Sequence, residues 1–267
     1  MILLFARNSF LARHVAAALP GGSWRGASHH ELENPDLLDG VETVVSFARH
    51  PAIGCDDHDL ERDDPDLRLA DRIGAREIRF VMLSSRKVYR AAPGPLAENA
   101  ALGPSDPYGR HKLALERGLA ARLGDRLTVL RLANVFGYER GRRTFLGLLL
   151  DRLAEEGAIQ FDMSPFVARD FLPAERCGEI LAQIARDPPG GILNVGSGIP
   201  LPTGRLALWV LEGFGSGRLV ITSPREHDAF VLDVGRLASR FGSPCSWDEL
   251  AAACRALGRR LRDETRA

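Results

Sequence analysis

Ser84-Ser85-Arg86-Lys87-Val88-Tyr89 and Pro107-Tyr108-Gly109-Arg110-His111-Lys112 are the two halves of the stretch on which the reading of this chain turns. The first closes an apolar run, Ile78 to Leu83, of the kind a buried strand leaves in a sequence. The second sets a tyrosine and a lysine four residues apart, on one face if a helix opens there. Such a pair suits proton transfer, because a phenol ionises near pH 10 and a neighbouring ammonium favours its charged form. Composition singles out the lysine as well: of 35 Lys plus Arg only two are Lys, at positions 87 and 112. A chain that otherwise uses arginine keeps lysine where a compact ammonium is wanted. Taken alone, Tyr108 and Lys112 read equally well as an exposed helix pair.

To either side, strand and helix signals alternate. Residues 1–5 make an apolar strand, Phe10 to Leu19 a helix stopped by Pro20-Gly21-Gly22, and Val41 to Phe47 a β-branched strand. The acidic passage Asp56 to Asp66 reads as a solvated loop leading into a helix at Leu67–Ile73. After the Tyr108 helix come a strand at Leu127–Leu132, a helix at Thr144–Glu156 and a short strand at Ala158–Phe161. A helix through Ile184 and a strand within Gly191–Gly198 follow. Residues 202–214 are predicted helical and 217–222 extended; Asp233 reads as an N-cap, and Ser246-Trp247-Asp248-Glu249 as a capping box for a terminal helix. This order predicts an α/β fold with a parallel sheet covered on both faces, in one unit without repeats. The Ser84-Ser85 pair then lies at the carboxyl end of a strand, where open α/β sheets collect ligands.

Composition narrows the function. With 267 residues at 45% hydrophobic the chain can bury a full core. A formal charge of zero gives no electrostatic case for nucleic acid or a membrane surface. The four cysteines (Cys55, Cys177, Cys245, Cys254) form no Cys-x-x-Cys pair, and His29 and His30 lack a third ligand, so no metal is predicted. The opening Met1-Ile2-Leu3-Leu4-Phe5 is too short for a signal peptide, and the chain is expected to be cytoplasmic.

The order of motifs resembles the extended short-chain dehydrogenase/reductases, the NAD-dependent epimerase/dehydratase group that modifies nucleotide sugars. The resemblance rests on Ser-Ser-x-x-Val-Tyr, Pro-Tyr-Gly-x-x-Lys, Leu130 to Gly137, Arg169-Asp170-Phe171, Leu193 to Gly198, and Pro224-Arg225-Glu226 before Asp233. It implies a Rossmann-like doubly wound sheet with a small C-terminal substrate lobe. The cofactor core would span about 1–137 plus 168–198, and the lobe about 138–167 and 199–267. It further implies that Ser85 binds the reacting oxygen, that Tyr108 is the acid/base, and that Lys112 assists it and holds the nicotinamide ribose. NADP or NAD would lie on the turn Ala6, Asn8, Ser9, Phe10 and Leu11. Arg25 and Ser28 would meet its adenosine ribose; Phe47, Ala48, Ser84 and Leu132 would line the rest of the cleft. Arg86, Asn134, Arg169 and Arg225 would face a nucleotide-sugar substrate, with Arg169 and Arg225 on its diphosphate. For those two arginines, ion pairs with Asp170 and Glu226 compete with that role. Family members often pair through helices flanking the sheet, which leaves a homodimer open.

Departures from the family pattern matter too. The glycine turn Gly-x-x-Gly-x-x-Gly is replaced by Ala6, Ser9 and Ala12, with Ser9 free to cap the helix. Arg86 and Lys87 stand where dehydratases carry an acidic pair, which argues against 4,6-dehydration. The second strand ends without an Asp, which favours NADP. The compact lobe resembles the 4-ketoreductases of deoxysugar pathways. Two other readings stay open: a ketoreductase on a small non-nucleotide carbonyl compound, and a catalytically silent binding protein.

Overall fold

A computed structural model describes residues 1–49, 64–142, 144–226 and 228–266. Most of the acidic passage and Cys55 lie outside those residues, while Cys177, Cys245 and Cys254 are buried free thiols.

The centre is a six-stranded sheet. Its strands are β1 (Ile2–Phe5), β2 (Trp24–Ala27), β3 (Thr43–Ser46), β4 (Arg79–Ser85), β5 (Leu127–Leu132) and β6 (Gly191–Val195). All pairings are parallel, in the order β6-β5-β4-β3-β1-β2. The chain steps from β1 to β2 on one side and returns to β3 on the other, so the order reverses between β1 and β3. That reversal opens a crevice at the carboxyl ends of the two strands. Phe5 pairs with both Ala27 and Ser46, which brings those ends level.

The strands read as apolar runs because both faces are covered. Leu4, Val45, Val81 and Leu130 pack towards α1 (Phe10–Ala18) and α5 (Ala174–Arg186); Leu3, Val44, Phe80 and Val129 pack towards α2 (Pro65–Ile73) and α3 (Pro107–Leu123). The rest of the helical shell comprises α4 (Phe145–Glu156), α6 (Thr203–Phe214), α7 (Gly235–Phe241) and α8 (Trp247–Arg266). Asp233 Oδ1 accepts the Gly235 N–H at 2.8 Å where α7 begins. The capping box opens α8, with Ser246 N–H on Glu249 Oε2 at 2.7 Å and Glu249 N–H on Ser246 Oγ at 3.2 Å.

One expectation is overturned at α2. Asp64 and Asp66 are not solvated: each is 2% exposed. Asp64 caps α2, its Oδ1 taking the Asp66 N–H at 2.9 Å, and its Oδ2 lies 3.1 Å from His111 Nε2 on α3. The Asp66 carboxylate accepts the Ser46 hydroxyl from the end of β3. Polar partners on neighbouring elements, invisible to local charge density, draw both carboxyls inside.

Candidate active site

Helix α3 is seated so that its first turn presses on the loop after β4. Asp106 caps it, Oδ1 accepting the Gly109 N–H at 2.7 Å, while its other oxygen accepts from Lys87 Nζ. A Cβ on Gly109 would stand 2.4 Å from the Lys87 carbonyl, so only glycine permits this approach. Lys112, one turn on, is 5% exposed and donates to the Leu83 carbonyl at 3.0 Å. Tyr108 is half-buried, with the Arg49 guanidinium 5.6 Å from its ring centre. The exposed-pair reading fails, because both side chains line a cleft of about 270 Å³.

That cleft gathers residues from all along the chain. Ser9, Phe10 and Leu11 enter from the start of α1, Phe47 and Ala48 from beyond β3, Ser84 from β4 and Leu132 from β5. A second cleft, about 350 Å³, continues from it past Ala6, Asn8 and Ser28. Ser9, Phe47 and Arg49 line both. The turn between β1 and α1 keeps the backbone expected of a glycine turn: Ala6 has φ +62°. Ser9 Oγ accepts the Ala12 N–H at 3.1 Å and caps the helix.

Arg25 is a correction. Its Nη2 donates to the carbonyls of Leu37 at 2.6 Å and Asp39 at 3.1 Å, outside both clefts. The second cleft is instead bordered by Ser28, His29 and His30, while Arg7 reaches the Gly26 carbonyl at 2.9 Å.

Ser84 donates its hydroxyl to Glu116, which also holds Arg131 Nη2 at 2.7 Å in a buried pair. Ser84 thus borders the cleft while its hydroxyl faces inward. Ser85 is half-buried and its Oγ accepts the Lys87 N–H at 3.3 Å.

A third cleft, of about 440 Å³, is bordered by Arg86, Lys87, Asp106, Asp228 and Phe230. Arg86 and Arg169 both hold Asp228 there. Neither competing ion pair forms as expected. Asp170 is fully buried and accepts from Ser197 N–H at 2.7 Å, Ser197 Oγ at 2.8 Å, Gly198 N–H at 3.1 Å and Leu232 N–H at 3.2 Å. Burial pushes the Asp170 carboxyl above its ordinary range despite those donors. A Cβ on Gly196 would lie 2.5 Å from Asp170 Oδ2, which accounts for the glycine of that motif. Arg225 is exposed; its N–H bonds Ser223 Oγ at 3.3 Å and its carbonyl accepts Ser164 N–H at 2.8 Å. Asn134 is half-buried in a short strand, Asn134–Phe136, that pairs with Phe171–Pro173. Neither residue lines the third cleft.

Residues 65–196 match the NAD dependent epimerase/dehydratase family. The matched segment covers just under half of the chain. It contains Ser85, Tyr108, Lys112 and all but the first three strands of the central sheet. Among solved structures, MoeE5 in complex with UDP-glucose and NAD is similar at 23% identity and TM-score 0.77, over 97% of this chain and 98% of that one. RMD from Pseudomonas aeruginosa complexed with NADPH matches at 19% identity and TM-score 0.80, over 98% and 99%. UDP-glucose 4-epimerase from Thermotoga maritima with UDP-glucose matches at 18% identity and TM-score 0.81, over 97% and 98%. The search of curated proteins returned no match.

Sequence reasoning missed Arg49, Glu139 and Arg142 in the first cleft. Arg49 follows Phe47-Ala48 directly and was within reach of the strand-end rule. Glu139 and Arg142 arrive on the segment after Gly137, and no spacing in the sequence announces them.

Proposed function

We propose that the chain is an NAD(P)-dependent oxidoreductase or epimerase acting on a nucleotide-linked sugar, by 4-keto reduction or by epimerisation. The observation that supports this best is the continuity of two clefts: the β1–α1 turn at one end, Tyr108 and Lys112 at the other. A dinucleotide suits that shape. Ser9, Phe10 and Leu11 begin α1, whose N-terminal N–H groups favour a pyrophosphate. Arg49 adds positive charge there, while Arg142 is paired with Glu139. When bound, the dinucleotide supplies the hydride chemistry.

The chain's own residues manage the proton. Tyr108 passes it between its hydroxyl and the sugar oxygen, and Lys112 stabilises negative charge developing on the phenol oxygen. Ser85 donates a hydrogen bond to the same sugar oxygen and fixes its distance from Tyr108. Arg86, on the wall of the third cleft, addresses the substrate together with Asn134 and Arg169. Residues 138–167 and 199–267 serve as the substrate lobe, the remainder as the cofactor core. NADP is preferred over NAD in this reading, because the second strand ends without an Asp and the nearby Glu31 already accepts the Ser28 N–H at 2.7 Å.

Melting temperatures with NAD, NADH, NADP and NADPH test the proposal. A ligand at 100 times its dissociation constant stabilises by about 2.7 kcal/mol, so at least one should raise the midpoint by several degrees. No shift with any of the four would overturn the enzyme reading. Tyr108→Phe should retain that shift and lose turnover by at least a hundredfold, measured by nucleotide absorbance with a nucleotide-sugar substrate.

A further inference from the structure

At the third cleft the carboxylate of Asp228 is held between two arginines, Arg86 on the cleft wall and Arg169 beside it. Arg86 offers both ends of its fork to the two oxygens of Asp228, with Nη2 to Oδ2 at 2.5 Å. Its guanidinium lies 3.7 Å from the centre of the Phe230 ring, which fixes the plane of the fork. Arg169 donates Nε to the Asp228 carbonyl at 3.1 Å and brings Nη2 within 3.5 Å of Oδ2, while its guanidinium lies 5.6 Å from the Phe145 ring centre. The two guanidiniums are built into the molecule, with side chains 12% and 7% exposed, whereas the Asp228 side chain is 38% exposed. Asp228 also sits at φ +59°, a left-handed backbone uncommon outside glycine. Two packed cations therefore share one anion that reaches them from the open side.

A carboxylate presents two oxygens in a plane, the arrangement that a guanidinium fork recognises in carboxylates and phosphates alike. We infer that Arg86 and Arg169 form an oxyanion site for the substrate, and that Asp228 occupies it until a ligand oxyanion takes its place. This inference rests on the nucleotide-sugar reading for the identity of the ligand, not for the site itself. Two sources share the chemistry: the diphosphate of the nucleotide, and a carboxylate on the sugar. Arg86 follows Ser85 directly, so either would be anchored beside the reacting oxygen.

Displacement has a thermodynamic consequence. The incoming anion competes with an internal one, so the measured affinity is the intrinsic affinity reduced by the fraction of molecules in which Asp228 has let go. Burial works against the charge on Asp228, yet the Arg86 and Arg169 guanidiniums hold its carboxyl below the usual range. It therefore competes as an anion at neutral pH. The opposite arrangement, a permanent latch, would make Asp228 part of the fold, and its removal would weaken ligand binding or leave it unchanged.

Titration calorimetry on the full chain at fixed ionic strength separates these. Inorganic pyrophosphate, UDP-glucose and UDP-glucuronate are titrated into the native protein, Asp228→Asn, and the double variant Asp228→Asn with Arg86→Gln. Asp228→Gly serves as a second route, because glycine accepts the left-handed backbone while removing the carboxylate. Both single variants should bind at least one ligand tenfold or more tightly than the native chain, and the double variant should lose that gain. Equal gains for pyrophosphate and UDP-glucose support the inference with the diphosphate as occupant; a gain confined to UDP-glucuronate supports it with a sugar carboxylate. A gain for pyrophosphate alone keeps the oxyanion site and overturns the nucleotide-sugar reading. Unchanged or weaker binding of all three ligands by folded Asp228→Gly or Asp228→Asn overturns the displaceable anion.

Discussion

Ala6 carries the tension between what the backbone of the first turn requires and what the sequence supplies. Its φ of +62° belongs to the left-handed region, where a Cβ crowds the following carbonyl at a cost of about 1–2 kcal/mol. Glycine would remove that strain, offset by roughly 0.5–1 kcal/mol of extra chain entropy in the unfolded state. Ala6→Gly should therefore stabilise by up to about 1 kcal/mol, a rise of roughly 2–4 °C in melting temperature, and should tighten dinucleotide binding. Scanning fluorimetry with and without NADPH checks both, and a lower midpoint would mean that the Ala6 methyl makes a contact worth more than the strain. The small residues at 6, 9 and 12 were legible as the register of a turn. That the left-handed backbone survives the loss of glycine was not, because side-chain identity sets only the cost of a conformation. Arg25 failed for a related reason: nothing in the sequence says that the carbonyls of Leu37 and Asp39 need a donor.

Strand β5 and helix α3 are joined by a pair that the hydrophobic pattern could not foresee. Arg131 is 1% exposed in a largely apolar strand, and Glu116 is 6% exposed on α3. Arg131 Nε and Nη2 bond Glu116 at 3.1 and 2.7 Å, Arg131 Nη1 reaches the Glu98 carbonyl at 3.1 Å, and Ser84 adds its hydroxyl. Removing one charge strands the other, so Arg131→Met should cost about 3–5 kcal/mol, read from urea denaturation midpoints. Arg131→Met with Glu116→Leu should recover most of it, because an apolar pair of similar volume needs no desolvation of charge. A double variant as unstable as the single one would locate the loss in packing. The parallel strands themselves were legible from their apolar runs, and α3 from its Pro-Tyr-Gly opening. The polar residues inside those elements were not, because a pairing such as Ser84 with Glu116 and Arg131 depends on which strands become neighbours.

Charge balance over the chain decides how its stability responds to pH. With a formal net charge of zero, general repulsion is small near neutrality, so a pH slope there traces to individual buried groups. Asp66 is the chief candidate. Burial first, and then the Asp64 carboxylate beside it, push its carboxyl up to about 7, against the pull of the Lys112 ammonium and the Ser46 hydroxyl. In the unfolded chain the same group ionises near 4. Below about 4 both states hold the proton and the folded chain has its full advantage; between about 4 and 7 the unfolded chain releases the proton while the folded one keeps it. Stability should therefore fall as pH rises through that window and level off above it. Asp66→Asn cannot ionise and should remove that part of the slope. Urea midpoints at pH 5, 6, 7 and 8 for both proteins give the difference directly. Parallel curves would take Asp66 out of the account. A gap that changes sign in favour of the native protein above pH 7 would mean that Lys112, which lines the first cleft, stabilises the Asp66 anion more than burial penalises it.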